Sequence, residues 1–548
     1  MKKFLLFVVM MSTFAAYTQV APNYYAVKFT DKGNSSYSLD HPEDFLSQRS
    51  IDRRVRQNIG YDSTDLPIIQ SYVEQVAAVG VEVKRRAKWI NTILIKTTNS
   101  SLLDQVNALP FVENVTKIAD EQAHPPIKQK SFFQVEEDLE SINHEWKSGN
   151  DNSSLDYGAA YGQINQINGI PLHDAGFQGQ GMVIAILDAG FIGVPQRKVF
   201  DSLYANNQIL GSRDFASEED NPFLGSTHGT KVLSTMGANW PGEMIGTAPK
   251  ADFWLIRTEF ADYENIIEEY NWVVGAAFAD SVGADVINSS LGYTTFDDPN
   301  MDHTWADLDG NTAVVTIGAD LAAKKGILPV NSAGNSGGDS WNYISCPADG
   351  DSVFTIGAVD VYGNLAYFSS RGLPTDPRVK PNICADGDGT TVADAYYDVI
   401  SSGSGTSFSS PIIAGMTACL WQANYDFNNQ QIMEAIEMSA TQANDPDNDY
   451  GYGIPDYGLA NSIVGIHQQN ITKDGFNFYP NPATDYIFLS APKDASILKI
   501  IDINARVVMQ VKMDSQTVVN IKDLPSGIYL LQLWNQYALL STKKLIKE

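Results

Sequence analysis

MVIAILDAG (182–190) starts as an unbroken apolar run and ends on a carboxylate, Asp188, with a glycine two residues later. A strand that is hydrophobic at every position is covered on both faces, as in a parallel sheet flanked by helices. ILPV (327–330) repeats the pattern, and ENIIEEYNWVVGAAFADSV (264–282) between them has the spacing of an amphipathic helix. Residues 157–466 are therefore expected to form a doubly wound, mostly parallel α/β sheet. Functional groups in such a sheet gather at the carboxyl ends of the strands, and Asp188 stands where the first run gives way to a turn.

Three further segments follow in order. His228 opens HGTKVLSTMGA (228–238), which reads as a helix start whose small residues allow close approach. Asn335 ends NSAGN (331–335), just after the ILPV strand. Ser407 lies in SGSGTSFSSPIIAGM (402–416), where Pro411 is expected near the first turn of a helix. Singly these are a turn aspartate, a capping histidine, a turn asparagine and a Ser/Gly loop. Together they supply what acyl transfer needs. Asp188 would orient His228, His228 would act as general base, Ser407 would attack, and Asn335 would donate to the oxyanion with the Ser407 N–H. The serine segment is not GxSxG, which counts against an esterase of the α/β-hydrolase type.

Length and composition bound the reading. A chain of 548 residues exceeds one compact core and suggests about three to four domains. A formal net charge of −28 disfavours nucleic acid and anionic membrane surfaces as partners. Lys2 and Lys3, the apolar run 4–11, and Ala15 and Ala16 make residues 1–18 a signal peptide. No other stretch approaches a membrane span, so no transmembrane segment is expected in the mature form. Three cysteines rule out a disulfide scaffold. Cys419 sits in an apolar run as a buried thiol, and whether Cys346 and Cys384 pair stays open.

The flanks differ from the centre. Residues 19–130 read as a small α/β domain and linker: strand 24–29, helices 43–57 and 68–79, strands 80–87 and 92–97, helix 101–109 and strand 112–118, then polar ADEQAHPPIKQKS (119–131). Residues 475–548 carry short strands separated by Asn, Asp, Pro and Gly, an all-β sandwich.

Residues 160–465 resemble the subtilisin-like serine peptidases (subtilases), whose chain order is Asp, His, Ser. The resemblance implies that Asp188, His228 and Ser407 are the triad and Asn335 the oxyanion donor of an endopeptidase acting on protein or peptide substrates through an acyl-enzyme. VINSSLG (286–292) is similar to the family's substrate strand, which implies that Ser290, Leu291 and Gly292, with Gly334, contact substrate. GTAPKADFWLIR (246–257) and IGAVDVYGNLAYFSSRG (356–372) also match family segments. Two positions depart from the pattern: Ala189 stands where Ser or Thr usually follows the aspartate, and Lys231 follows HGT.

The N-terminal domain resembles the inhibitory propeptide of these enzymes. YPNPA (479–483), LPSGIYLLQL (524–533) and the terminal KKLIK (543–547) resemble a type A C-terminal sorting domain of the type IX secretion system. These likenesses imply a zymogen exported through the periplasm and outer membrane, secreted or held at the cell surface, with its own propeptide and the secretion machinery as partners. The chemistry requires no cofactor. Structural calcium stays open at the acidic loops DPDNDYG (445–451) and DLDGN (307–311), although the first lacks glycine at its sixth place. No metal ligands are assigned. The competing reading is a catalytically inactive surface protein that keeps the fold for binding or adhesion.

Overall fold

The computed structural model describes residues 23–33, 35–120, 153–464, 477–490, 497–502, 506–512, 516–534 and 539–547. The signal peptide and the linker beyond Asp120 lie outside these residues. Two compact units, 1–457 and 458–548, are each described by themselves.

In the first unit, β1 (Asn23–Phe29), β2 (Glu82–Ala87), β3 (Thr92–Thr97) and β4 (Val112–Asp120) form an antiparallel sheet in the order β2-β3-β1-β4. One face buries Val27, Phe29, Ile93 and Ile95 against Val73, Val76 and Val106 of the helices Gln70–Ala78 and Ser101–Asn107. The other face carries Ala26, Leu94 and Ile118 onto Ile267, the first residue of helix Ile267–Val282. The helix expected over 43–57 is split. Pro42–Asp44 is a 3-10 turn, and the α-helix runs Gln48–Gln57 because Ser47 caps it, its Oγ accepting from the Ser50 N–H at 3.2 Å.

The larger sheet follows. Its strands are β5 (Val183–Asp188), β6 (Ile209–Asp214), β9 (Asp252–Arg257), β10 (Val286–Ser289), β11 (Leu328–Ser332), β12 (Phe354–Asp360) and β13 (Ile383–Asp388), with two hairpins outside it, β7–β8 (Asn239–Trp240, Met244–Ile245) and β14–β15 (Thr390–Ala393, Ile400–Gly403). The order is β13-β12-β11-β10-β5-β9-β6, and every pair is parallel. Val183, Ala185 and Leu187 pack with Trp272, Val273 and Ala276 of helix Ile267–Val282 and Val315 and Ala319 of helix Val314–Lys324. Ile184 and Ile186, pointing the other way, are fully buried on the side of helices His228–Gly237 and Thr406–Ala423.

Two further expectations need correction, and one open question is answered. The helix expected from 264 begins at Ile267, because Glu268 takes the N–H groups of Phe260 (2.8 Å) and Asn265 (2.9 Å) and holds that stretch as a turn. Pro411 lies inside helix Thr406–Ala423, past its first turn. Cys346 and Cys384 do not pair; all three cysteines are free and buried, Cys384 lying within β13 and Cys419 within the central helix.

The second unit holds two antiparallel sheets, β16-β17-β20 and β19-β18-β21-β22. Their strands are β16 (Asn477–Tyr479), β17 (Tyr486–Ser490), β18 (Ile497–Ile501), β19 (Val507–Lys512), β20 (Gln516–Asn520), β21 (Gly527–Trp534) and β22 (Leu539–Lys547). Ile487, Leu498, Val519, Leu531 and Leu545 share one core, a sandwich. No helix of the described residues is long and apolar enough to cross a membrane.

Candidate active site

Asp188 is the last residue of β5 and is fully buried. Its two carboxylate oxygens lie 2.8 and 2.9 Å from His228 Nδ1. The turn after Asp188 needs glycine: Gly190 has φ +150°, and a Cβ there would stand 2.2 Å from the Leu224 carbonyl. That tight turn lets the Gly190 carbonyl accept the Gly229 N–H at 3.0 Å, which fixes the start of helix His228–Gly237 beside the carboxylate. The Ala189 N–H donates to Asp188 Oδ1 at 2.7 Å. Arg257, paired with Asp214 at 3.0 Å, in turn donates to the Ala189 carbonyl. Arg257 closes the segment 246–257 and Asp214 lies in no motif; neither role was legible, because the pair joins residues 43 positions apart.

Ser407 is the second residue of helix Thr406–Ala423, so its N–H lies at the positive end of the helix dipole. Its Oγ is buried and makes no hydrogen bond among the described residues. The neighbouring Phe408 ring lies 6.1 Å from the His228 ring, which brings the serine turn to the histidine. Asn335 reaches the same turn. Its Oδ1 accepts from the Thr406 N–H and Thr406 Oγ1, each at 2.9 Å. Thr406 Oγ1 also accepts the Gly334 N–H at 3.1 Å. Thr406 was not singled out from sequence; its position directly before Ser407 was the available signal.

Ser290, Leu291 and Gly292 continue from the end of β10. Ser290 and Leu291 are buried and Gly292 is half-buried. Ser290 Oγ donates to the Ser407 carbonyl at 2.8 Å, and Asn288 joins Ser290 (3.2 Å) to Ser410 (3.0 Å). Behind them Tyr293 donates to Glu259, and burial, followed by the Glu259 charge, pushes its phenol well above the ordinary value. Gly334 sits at φ +110°, where a Cβ would stand 2.9 Å from Ser370 Oγ. Asp188, Ser290, Gly334, Asn335 and Ser407 thus meet at the carboxyl ends of β5, β10 and β11.

The two acidic loops behave as turns. Asp447 accepts the Asp449 and Tyr450 N–H groups at 2.9 and 2.7 Å, and Asp309 accepts those of Asn311 and Thr312 at 2.8 Å.

Comparison with known proteins covers the chain in three parts. Residues 179–453 match the Subtilase family, 24–132 the Peptidase S8 propeptide domain of Bacteroidota, and 477–548 a Secretion system C-terminal sorting domain. The chain is 30% identical over 336 residues to Subtilisin E of Bacillus subtilis, covering 60% of this chain and 76% of that protein. It is 30% identical over 282 residues to Subtilisin of Bacillus pumilus (51% and 90%) and 28% identical over 303 residues to Thermostable alkaline protease of Halalkalibacterium halodurans (54% and 72%). The sorting domain marks the product as secreted or attached to the cell surface. The chain belongs to the subtilase family and is a secreted serine peptidase.

Proposed function

We propose that the protein is an endopeptidase working through Asp188, His228 and Ser407, with Asn335 as oxyanion donor and no cofactor in the chemistry. Ser407 Oγ attacks the scissile carbonyl while His228 takes its proton. Asp188 holds the Nδ1–H and stabilises the imidazolium that forms. The oxyanion is met by the Asn335 amide and the Ser407 N–H. The protonated His228 then gives its proton to the leaving amine, and water hydrolyses the acyl-enzyme by the same relay. Gly292 and Gly334 flank the acyl position, with Ser290 and Leu291 forming the wall.

One observation carries this reading: a buried carboxylate on His228 Nδ1 beside a buried serine hydroxyl without a hydrogen-bond partner among the described residues, at a helix start. A fluorophosphonate probe on the processed protein is the test. Labelling that disappears in Ser407→Ala supports it. A processed, folded chain that takes no label would establish the inactive binding protein instead.

A further inference from the structure

QRSIDRRVRQ (48–57) forms a helix with arginines at 49, 53, 54 and 56, and the catalytic proposal uses none of them. All four reach the peptidase. Arg53 (1% exposed) and Arg54 (0%) both bond Asp280 (0%), Arg54 at 2.7 and 2.9 Å. Arg53 also donates to the Ala284 carbonyl. Arg49 pairs with Asp285 and donates to the carbonyls of Gly283 (2.9 Å) and Gly181 (2.7 Å). Arg56 reaches the other oxygen of Asp285 at 3.3 Å and stacks 3.8 Å over Tyr425. Gln57 adds a bond to the Gly326 carbonyl at 2.7 Å.

The location matters as much as the charge. Gly181 and Asp285 directly precede or closely approach β5 and β10, Asp285 accepts the Val183 N–H that opens β5, and Gly326 lies just before β11. These are the amino ends of the three strands whose carboxyl ends carry the catalytic groups, about 16 Å away along β5. The helix therefore grips the sheet at the edge opposite the active site.

Each side is built for the other. Asp280 lies in the last turn of helix Ile267–Val282, where the helix dipole is already negative, and Asp285 follows three residues after the helix, so the two carboxylates together favour cations. Burial pushes Asp280 up, but Arg53, Arg54 and Lys88 outweigh it and hold the carboxyl below its usual range. All three cations come from the N-terminal domain. The exchange also runs the other way: Lys325 of the peptidase, 1% exposed, bonds Asp62 (2.9 Å) and Asp65 (2.8 Å) of that domain. Removing the N-terminal domain takes both arginine partners from the buried Asp280 carboxylate, while Arg54 keeps Asp65 of its own domain at 2.9 Å.

We propose that Asp280 and Asp285 form a receptor for a guanidinium-bearing helix, that residues 48–57 are its occupant, and that this contact holds the N-terminal domain on the peptidase after the connecting segment is cut. It does so from the far edge of the sheet, independently of whatever occupies the cleft. Guanidinium is required because Arg53 serves a carbonyl and a carboxylate at once, which a lysine ammonium cannot match in that geometry.

The test uses the full chain with Ser407→Ala, so that the triad plays no part, and a cleavage site for a sequence-specific protease inserted within residues 121–131. After cutting, the two fragments are expected to co-elute and to dissociate slowly. R53Q/R54Q and D280N should each speed dissociation by about a hundredfold, and combining them should add little. R53K should recover less than half of the effect on a logarithmic scale. The peripheral pair R49Q/R56Q, which leaves the most buried arginines in place, should give about tenfold. Uncut variants must elute and show circular dichroism as wild type. Dissociation of cut R53Q/R54Q and R49Q/R56Q at the wild-type rate would overturn the proposal, whatever the labelling of Ser407 shows.

Discussion

Ser290 Oγ donates to the Ser407 carbonyl at 2.8 Å, in the place a helix amide at 411 would occupy. Pro411 has no N–H, so the i→i−4 bond that should close on Ser407 cannot form. Ser290 satisfies the orphan and ties the Ser407 turn to the end of β10. Ser290→Ala should lower stability by about 1–3 kcal/mol, the usual effect of an unsatisfied buried carbonyl. Pro411→Ala in the Ser290→Ala background restores a donor and should recover part of that loss. Urea titrations of the four proteins close the cycle, and strict additivity would count against the substitution of one donor for the other.

Thr406 fixes the Oδ1 of Asn335, the proposed oxyanion donor, with two hydrogen bonds. Thr406→Val removes the hydroxyl and keeps the shape and the backbone N–H. kcat is expected to fall about tenfold to a hundredfold with KM nearly unchanged, less than the 10²–10³ expected for Asn335→Ala, because positioning is weakened and not removed. Thr406→Ser should restore most of the rate.

Lys380 is buried and donates to the Val353 carbonyl at 2.6 Å. Burial, reinforced by Arg378, lowers its ammonium from 10.5 to about 8, while Asp349, Asp320 and Glu437 oppose the shift. The unfolded chain keeps its proton to the ordinary lysine value, so between these limits it binds more protons than the folded chain. Stability from this group therefore rises with pH from about 8 towards 10.5, by of order 1 kcal/mol per pH unit. Subtracting the denaturation profile of Lys380→Met from that of wild type should expose this positive slope; a flat difference would refute it.

Free, buried cysteines give a chemical prediction. Burial is the main cause that raises all three thiols, so little thiolate is present at neutral pH. The native protein should react with no equivalent of Ellman's reagent and the denatured, unreduced protein with three. One equivalent on denaturation would mean that two of the cysteines are paired.

Much of the site was legible because its signals are local. MVIAIL reads as a doubly covered strand from its own composition, and Asp188 follows it directly. The elements 92–97 and 228–237 fall where periodicity and small residues put them. The misses are equally physical. Helix starts moved where a side chain such as Glu268 or Ser47 captured the backbone before the helix could form. Thr406 and Arg257 lie inside legible segments, yet their roles were not legible, because a threonine or arginine takes its role only from what the fold places beside it.

By itself the sequence determined the chemistry available: an acid, a base, a nucleophile and an amide donor, each at a strand end or helix start set by short-range patterning. It also determined the alternation that makes the sheet. Tertiary structure alone decided what those residues lean on. Ser290 meets Ser407 across 117 positions, and Arg54 meets Asp280 across 226. No periodicity spans such distances, since each pairing exists only after β5, β10 and β11 align and their two edges become separate surfaces, one catalytic and one that receives the arginine helix.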